Sequence, residues 1–258
     1  MLIIDDTPNN DIENLCEQFR LKFNQAGIMI AYIRNHRERS ISIARNIGVR
    51  KATGEILFFI DTDILPLSEY IEKVLRIFNN YPNAIGVGGW FSPPSNRCME
   101  GFRYHCNQIL RVLFSLQRDS RNRCKNFEYP ATLSNTIFCQ YLLGGAMSFR
   151  RRIFNEFQFD ESLKAYSFGE DFLFSNLISK KYSNSLLLAP DARCINVASE
   201  EARLKGNELF DIKIRNGKYI LAKLWGAKGL FLFARQYFGL VFFDKLEKIK
   251  AIAKNFNY

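Results

Sequence analysis

Over about the first ninety residues, short apolar runs alternate with segments in which apolar side chains recur every three to four positions. Leu2-Ile3-Ile4 ends in the polar turn Asp5-Asp6-Thr7-Pro8. The spacing of Ile12, Leu15, Cys16, Phe19 and Phe23 then predicts a helix, with Asn10 and Glu13 as a capping box. Ile28–Ile33 reads as a second strand and Ser40–Thr53 as a helix stopped by Gly54. Ile56–Ile60 reads as a buried strand too short to be helical. A helix around Leu67–Phe78 and a strand over Ala84–Gly89 continue the series. Such alternation implies an α/β fold with helices crossing over a mainly parallel mixed sheet. Further on, Tyr141–Phe149 reads as a strand holding Gly144 and Gly145, Glu170–Lys181 as a helix, and Ser185–Ala189 as a strand stopped by Pro190. An apolar helical stretch around Ile109–Leu116 sits in an otherwise irregular region from Pro93 to Gln140.

With 258 residues, 47% of them apolar and 24% charged, the chain can bury the core of one large domain. Its six Cys contain no Cys-x-x-Cys pair and its only two His are His36 and His105, so a zinc finger or a three-His centre is excluded. A bound metal must rely on carboxylates. P-loop, dinucleotide-binding and serine-hydrolase motifs are all absent. The opening Met1–Asp6 has no basic n-region and only three apolar residues before two acids, so neither a signal peptide nor a membrane span is expected there. A cytoplasmic location with reduced thiols follows as the expectation. The net charge of +10 is uneven, because residues 213–258 hold ten Lys/Arg against Asp244 and Glu247. A nearly neutral body with a basic, apolar tail argues against a nucleic-acid partner, which needs basic groups on a polar face with scattered stacking residues.

Asp61 and Asp63 follow the most apolar run of the chain, and open α/β sheets bind ligands beyond the carboxyl ends of their strands. Two carboxylates one residue apart suit a hard cation such as Mg²⁺ or Mn²⁺, which takes oxygen ligands and shares them with substrate phosphates. The same residues also suit a plain turn before Pro66. Glu170 and Asp171 open an apolar helix. Acids there complement the helix dipole, and a carboxylate in such a place also suits a general base that takes a proton from an attacking hydroxyl.

Ala44-Arg45-Asn46-x-Gly48, then Ala52-x-Gly54-Glu55 and the strand leading to Asp61-Thr62-Asp63-x-x-Pro66, resembles the nucleotide-binding half of family 2 glycosyltransferases of the GT-A fold. Gly144-Gly145-Ala146-Met147-Ser148-Phe149-Arg150-Arg151, Phe159-Asp160-Glu161 and Gly169-Glu170-Asp171 resemble the acceptor half in the same order. The resemblance spans roughly residues 2–203. It implies a single GT-A-like domain, with a nucleotide-sugar-binding half over 1–92 and an acceptor-binding half over 93–212. A C-terminal helical, basic and aromatic extension over 213–258 follows. The implied activity is an inverting, metal-dependent transfer of a sugar from a nucleotide-sugar, foremost a UDP-sugar, to a hydroxyl of a glycan or lipid-linked acceptor. The implied setting is surface polysaccharide or glycolipid synthesis on the cytoplasmic face of the membrane. By position, Asp5 or Asp6 would contact the nucleotide base, Asp61 would lie near the ribose and Arg45 on the donor side. Asp63 would hold Mg²⁺ or Mn²⁺, Asp171 would be the catalytic base, and Glu170 would help bind the acceptor.

Two features depart from the family pattern. Members generally carry one more strand before the one at Leu2, so the chain is expected to be either truncated or a degenerate, non-catalytic copy that binds a membrane or a partner. Asn196 stands about where many members place a metal-binding His, and offers a carbonyl oxygen instead. A sugar nucleotidyltransferase is a second enzyme reading, but its Gly-rich phosphate loop is not visible. Residues 229–243 are about fifteen mostly apolar positions flanked by Lys218, Lys223, Lys228, Lys245, Lys248 and Lys250. They are too few to span a membrane, and suit either a helix lying in the interface on anionic headgroups or one packed on the body.

Overall fold

A computed structural model describes residues 1–91, 133–164, 167–197 and 206–255, so the helix expected over Ile109–Leu116 lies outside the described residues. The chain divides into two compact units, one of Met1–Ser92 with Pro130–Leu204 and one of Pro93–Tyr129 with Lys205–Tyr258.

The first unit follows the alternation of the sequence. Strands β1 (Leu2–Asp5) and β2 (Ala31–Arg34) flank helix α1 (Asp11–Gln25) and pair in parallel as a two-stranded sheet. The capping box does not form: Asn10 precedes α1 without a side-chain bond, and its carbonyl accepts from Asn14 N–H. Helix α2 (Ile41–Lys51) is capped by the Ser40 hydroxyl, which accepts from Ile43 N–H, and it packs on β1. It ends at Ala52 in an extended conformation, so Gly54 is not its stop.

Strand β3 (Ile56–Ile60) comes next, then β4 (Ile64–Pro66), helix α3 (Tyr70–Asn80) and β5 (Gly86–Phe91). Later come β6 (Ile137–Cys139), which the sequence did not announce, β7 (Ala146–Arg150), helix α4 (Glu170–Lys181) and β8 (Leu186–Asn196). The larger sheet is mixed, in the order β3-β7-β5-β8-β4, with β6 also on β8. Strands β3, β5 and β8 share one direction, since β7 lies antiparallel between β3 and β5, and β5 pairs with β8 in parallel.

Two further readings need correction. Gly144 and Gly145 form the turn before β7 rather than part of a strand. Pro190 does not stop β8, because a register shift opposite Gly88 and Trp90 of β5 absorbs the missing N–H, and the strand runs on to pair with β4.

One core lies between α3 and the sheet, where Val74, Phe78, Val87, Leu187 and Cys194 are buried. A second is aromatic: Phe159 and Phe174 stack at 4.2 Å, Phe154 and Phe174 at 5.4 Å, and Phe59 and Phe149 meet them edge-on or tilted. Each buried Phe contributes about 1.5–3 kcal/mol. This aromatic block anchors α4 to β7, and so fixes the first turn of α4 where the acids are.

The second unit is seen as the helical segment α5 (Gly206–Asn255), broken at Gly226, whose φ of 57° and ψ of −134° are not helical. Gly217 lies near the Phe233 ring and Gly229 close against Leu221, so the segment folds back on itself after the break. Ile212, Ile220, Leu221 and Leu224 are buried, whereas Leu230, Phe231 and Tyr237 are exposed. Among the described residues, no helix is long and apolar enough to cross a membrane.

Candidate active site

Three of the acids picked out in the sequence, Asp61, Glu170 and Asp171, gather near one cation. Arg45, in the middle of α2, is buried at 8% exposure. Its Nη2 donates to Asp61 Oδ1 at 3.0 Å and to the Gly144 carbonyl at 3.0 Å, while its Nη1 pairs with Glu170 Oε1. The guanidinium stands 5.6 Å from the Phe159 ring centroid. Two acids thus bond one side chain, with Asp171 acting through space, and burial, which disfavours the Arg45 charge, is outweighed by Glu170, Asp61 and Asp171.

Glu170 and Asp171 occupy the first turn of α4 because Gly169 turns the chain there, at φ 86°, a conformation glycine adopts without strain. Glu170 is buried. Burial and the neighbouring Asp171 push its carboxyl up to about 8, against the opposing pull of Arg45. Asp171 is half-buried, and each of its oxygens is held by one N–H: Oδ2 by Gly144 and Oδ1 by Phe172, both at 2.7 Å. Burial raises its carboxyl above the ordinary range, although Arg45 and these two N–H groups pull the other way.

Gly144 is the link that residue-by-residue reading missed as chemistry. Its N–H reaches Asp171 and its C=O reaches Arg45. A Cβ there would lie 2.9 Å from Arg45 Nη2 and 3.2 Å from Asp171 Oδ2, so only glycine fits without displacing one of them. The next residue, Gly145, accepts at its carbonyl from Asp61 N–H at 3.0 Å, and Ser175 Oγ on α4 accepts from Leu142 N–H. The doublet Gly144-Gly145 was the signal for this close approach.

Asp63 and Asn196 lie at one end of the β4–β8 ladder. Asn196 is the register partner of Ile64, and Val197 N–H donates to the Asp63 carbonyl at 2.8 Å. Among the described residues there is no group of three His, Cys, Asp or Glu side chains that could hold a metal. The donor types, a carboxylate just before β4 and an amide carbonyl at the end of β8, are chemically suited to Mg²⁺ or Mn²⁺, which complete their shells with water and substrate phosphate.

Asp5 and Asp6 belong to a separate set of contacts at the carboxyl end of β1. Asp5 accepts from Thr7 N–H and Oγ1 through Oδ1, and from the Tyr32 hydroxyl through Oδ2 at 2.8 Å. Burial raises its carboxyl, but these bonds and the nearby Arg34 outweigh it and hold the group below the usual range. Asp6 accepts from Asn35 Nδ2.

Compared with known proteins, residues 1–157 match the family model described as Glycosyl transferase family 2. No curated protein matches at a significant level. Among solved structures, GalNAc-T7 with UDP, GalNAc and Mn²⁺ is 17% identical with a TM-score of 0.60, over 88% of this chain and 42% of that one. S. aureus TarS 1–349 in complex with UDP-GlcNAc is 14% identical with a TM-score of 0.51, over 88% and 59%. Mannosyltransferase PcManGT from Pyrobaculum calidifontis, in complex with GDP-Man and Mn²⁺, is 14% identical with a TM-score of 0.50, over 90% and 63%. The chain therefore spans less than two thirds of each of these proteins, and at these identities the likeness is one of fold.

Proposed function

From the premise that this chain belongs to glycosyl transferase family 2 and has the GT-A fold, we propose that it moves a sugar from a nucleotide-sugar donor to an acceptor hydroxyl, with inversion at the anomeric carbon. The observation that carries this reading is the Arg45 junction, where one buried cation ties the acid after β3 to Glu170, the first of the two acids that open α4. Asp171 is the base. As the acceptor oxygen attacks the anomeric carbon, the hydroxyl proton passes to Asp171 and the bond to the nucleoside diphosphate breaks on the opposite face. A carboxyl raised by burial accepts that proton more readily than a solvated one, while two N–H bonds keep it oriented.

Asp63 and Asn196 would hold Mg²⁺ or Mn²⁺, a role supported by their neighbouring backbone positions, just before β4 and at the end of β8. When bound, such a cation offsets charge on the diphosphate leaving group. Asp61 faces the ribose. Asp5 already accepts three hydrogen bonds, so Asp6 is the better contact for the nucleotide base. A UDP-sugar is the favoured donor, and two of the structural neighbours were solved with UDP or a UDP-sugar. Donor turnover tests the reading: the full chain in Mn²⁺ releases UDP from a UDP-sugar, and Asp171→Asn loses at least about 10²-fold in kcat with UDP binding kept. Equal turnover by that variant would remove Asp171 as the base.

Residues 213–258 supply a peripheral contact with the inner face of a membrane carrying the glycan or lipid-linked acceptor, in surface polysaccharide or glycolipid synthesis. Support comes from Phe231 at 65% exposure with Leu230 and Tyr237 also exposed, in a segment rich in Lys. Flotation with anionic vesicles tests it: wild type floats and Phe231→Asp floats less, whereas a chain that stays wholly in solution removes this contact.

A further inference from the structure

We propose that Arg45 is a positioning residue that sets Asp171 against the donor side of the site, acting through Gly144 and Glu170 without touching substrate. The inference rests on the reading of Asp171 as the base.

Nη1 of Arg45 is taken up by Glu170. The rest of the guanidinium is also engaged. Nη2 holds both Asp61 and the Gly144 carbonyl at 3.0 Å. Because the guanidinium is a rigid planar fork, these bonds fix three separate pieces of chain relative to one another: the end of β3, the turn before β7 and the first turn of α4. The Phe159 ring lies alongside, and Asn46, next to Arg45 on α2, is itself pinned to the Phe159 backbone by two hydrogen bonds.

Gly144 turns this clamp into control of Asp171. Its carbonyl is held by Arg45 while its N–H holds Asp171 Oδ2 at 2.7 Å, so a shift of Arg45 that moves this residue also moves the donor that orients the base. Among the described residues, Arg45, Asp61 and Glu170 are the titratable groups that act on Asp171. Lysine preserves the charge at position 45 but not the fork, so it cannot hold Asp61, Gly144 and Glu170 together.

The test compares the wild-type chain with Arg45→Lys, Arg45→Met and the double variant Arg45→Met/Glu170→Met. The double variant replaces both members of the buried pair by apolar side chains, an exchange that such pairs often tolerate. Thermal melting is measured together with UDP, GDP or dTDP release from UDP-GlcNAc, GDP-mannose and dTDP-glucose in Mn²⁺. The expected result is a double variant that melts within a few degrees of wild type yet loses about 10²-fold in kcat, the loss typical of a base displaced by about 1 Å. Nucleotide affinity is expected to change less than about tenfold, and Arg45→Lys is expected to melt like wild type without recovering kcat. A double or lysine variant that turns over within about threefold of wild type overturns the proposal, because Arg45 is then structural only. Loss of folding in all three variants also overturns it. A folded wild type that releases no nucleotide overturns the proposed activity itself, an outcome distinct from any difference among variants.

Discussion

Gly144 and Asp171 are joined by one hydrogen bond, from the Gly144 N–H to Asp171 Oδ2 at 2.7 Å, and this bond ties the turn before β7 to the first turn of α4. The acid in question therefore does not hang free from a helix end. Its orientation is set by backbone that a second strand and a buried arginine hold in place.

Gly144→Ala tests that dependence. The added Cβ would meet Arg45 Nη2 at 2.9 Å, Arg45 Nη1 at 3.1 Å and Asp171 Oδ2 at 3.2 Å, and Arg45 is too well engaged to yield. A folded variant with donor turnover reduced about 10–100-fold is expected, measured as nucleotide release at saturating donor.

The pH dependence of stability carries the signature of Glu170. Its folded carboxyl sits near 8 against an ordinary 4.5, so between those values the folded state keeps a proton that the unfolded state has released. Stability must then fall as pH rises through that window, and Asp171, also raised, adds in the same direction. Melting temperatures at pH 5.5 and 8.5 are expected to differ by several degrees, at roughly 2–4 °C per kcal/mol, and Glu170→Gln is expected to flatten the slope.

Asn46 explains a sequence feature that carries no chemistry. Its Nδ2 donates to the Phe159 carbonyl at 2.9 Å and to Glu161 Oε1 at 3.0 Å, and its Oδ1 accepts from Phe159 N–H at 3.0 Å. Asn46→Leu strands buried backbone groups, and a loss of about 2–4 kcal/mol is expected in denaturant unfolding.

Tyr70 is the opposite case. It is 1% exposed, and its hydroxyl has no hydrogen-bond partner among the described residues. Tyr70→Phe is expected to leave stability unchanged or raise it by up to about 1 kcal/mol, read in the same unfolding experiment.

Much of this was legible in the residues because strand and helix periods differ and the acids lie where strands or helices begin and end. Ile56–Ile60 and Glu170–Lys181 appear with the bounds read from the sequence. What escaped was set by partners distant in sequence. Gly144 and Gly145 read as strand because their neighbours are apolar, but Arg45, Asp61 and Asp171 claim their backbone groups. Pro190 read as a stop because a regular ladder has no place for it, yet the shifted register at Gly88 and Trp90 makes one. The Asp5 to Tyr32 bond joins residues 27 positions apart, and no local pattern announces it.

The central claim is a donor site completed by a divalent cation at Asp63. Calorimetric titration of UDP into the full chain, with GDP and dTDP alongside, in Mn²⁺ and then in EDTA, tests it most directly when repeated with Asp63→Ala. The account predicts metal-dependent binding of one nucleotide that disappears in EDTA and weakens at least about tenfold in the variant. A folded chain that binds no nucleotide in Mn²⁺, or binds equally in EDTA and after Asp63→Ala, would contradict it.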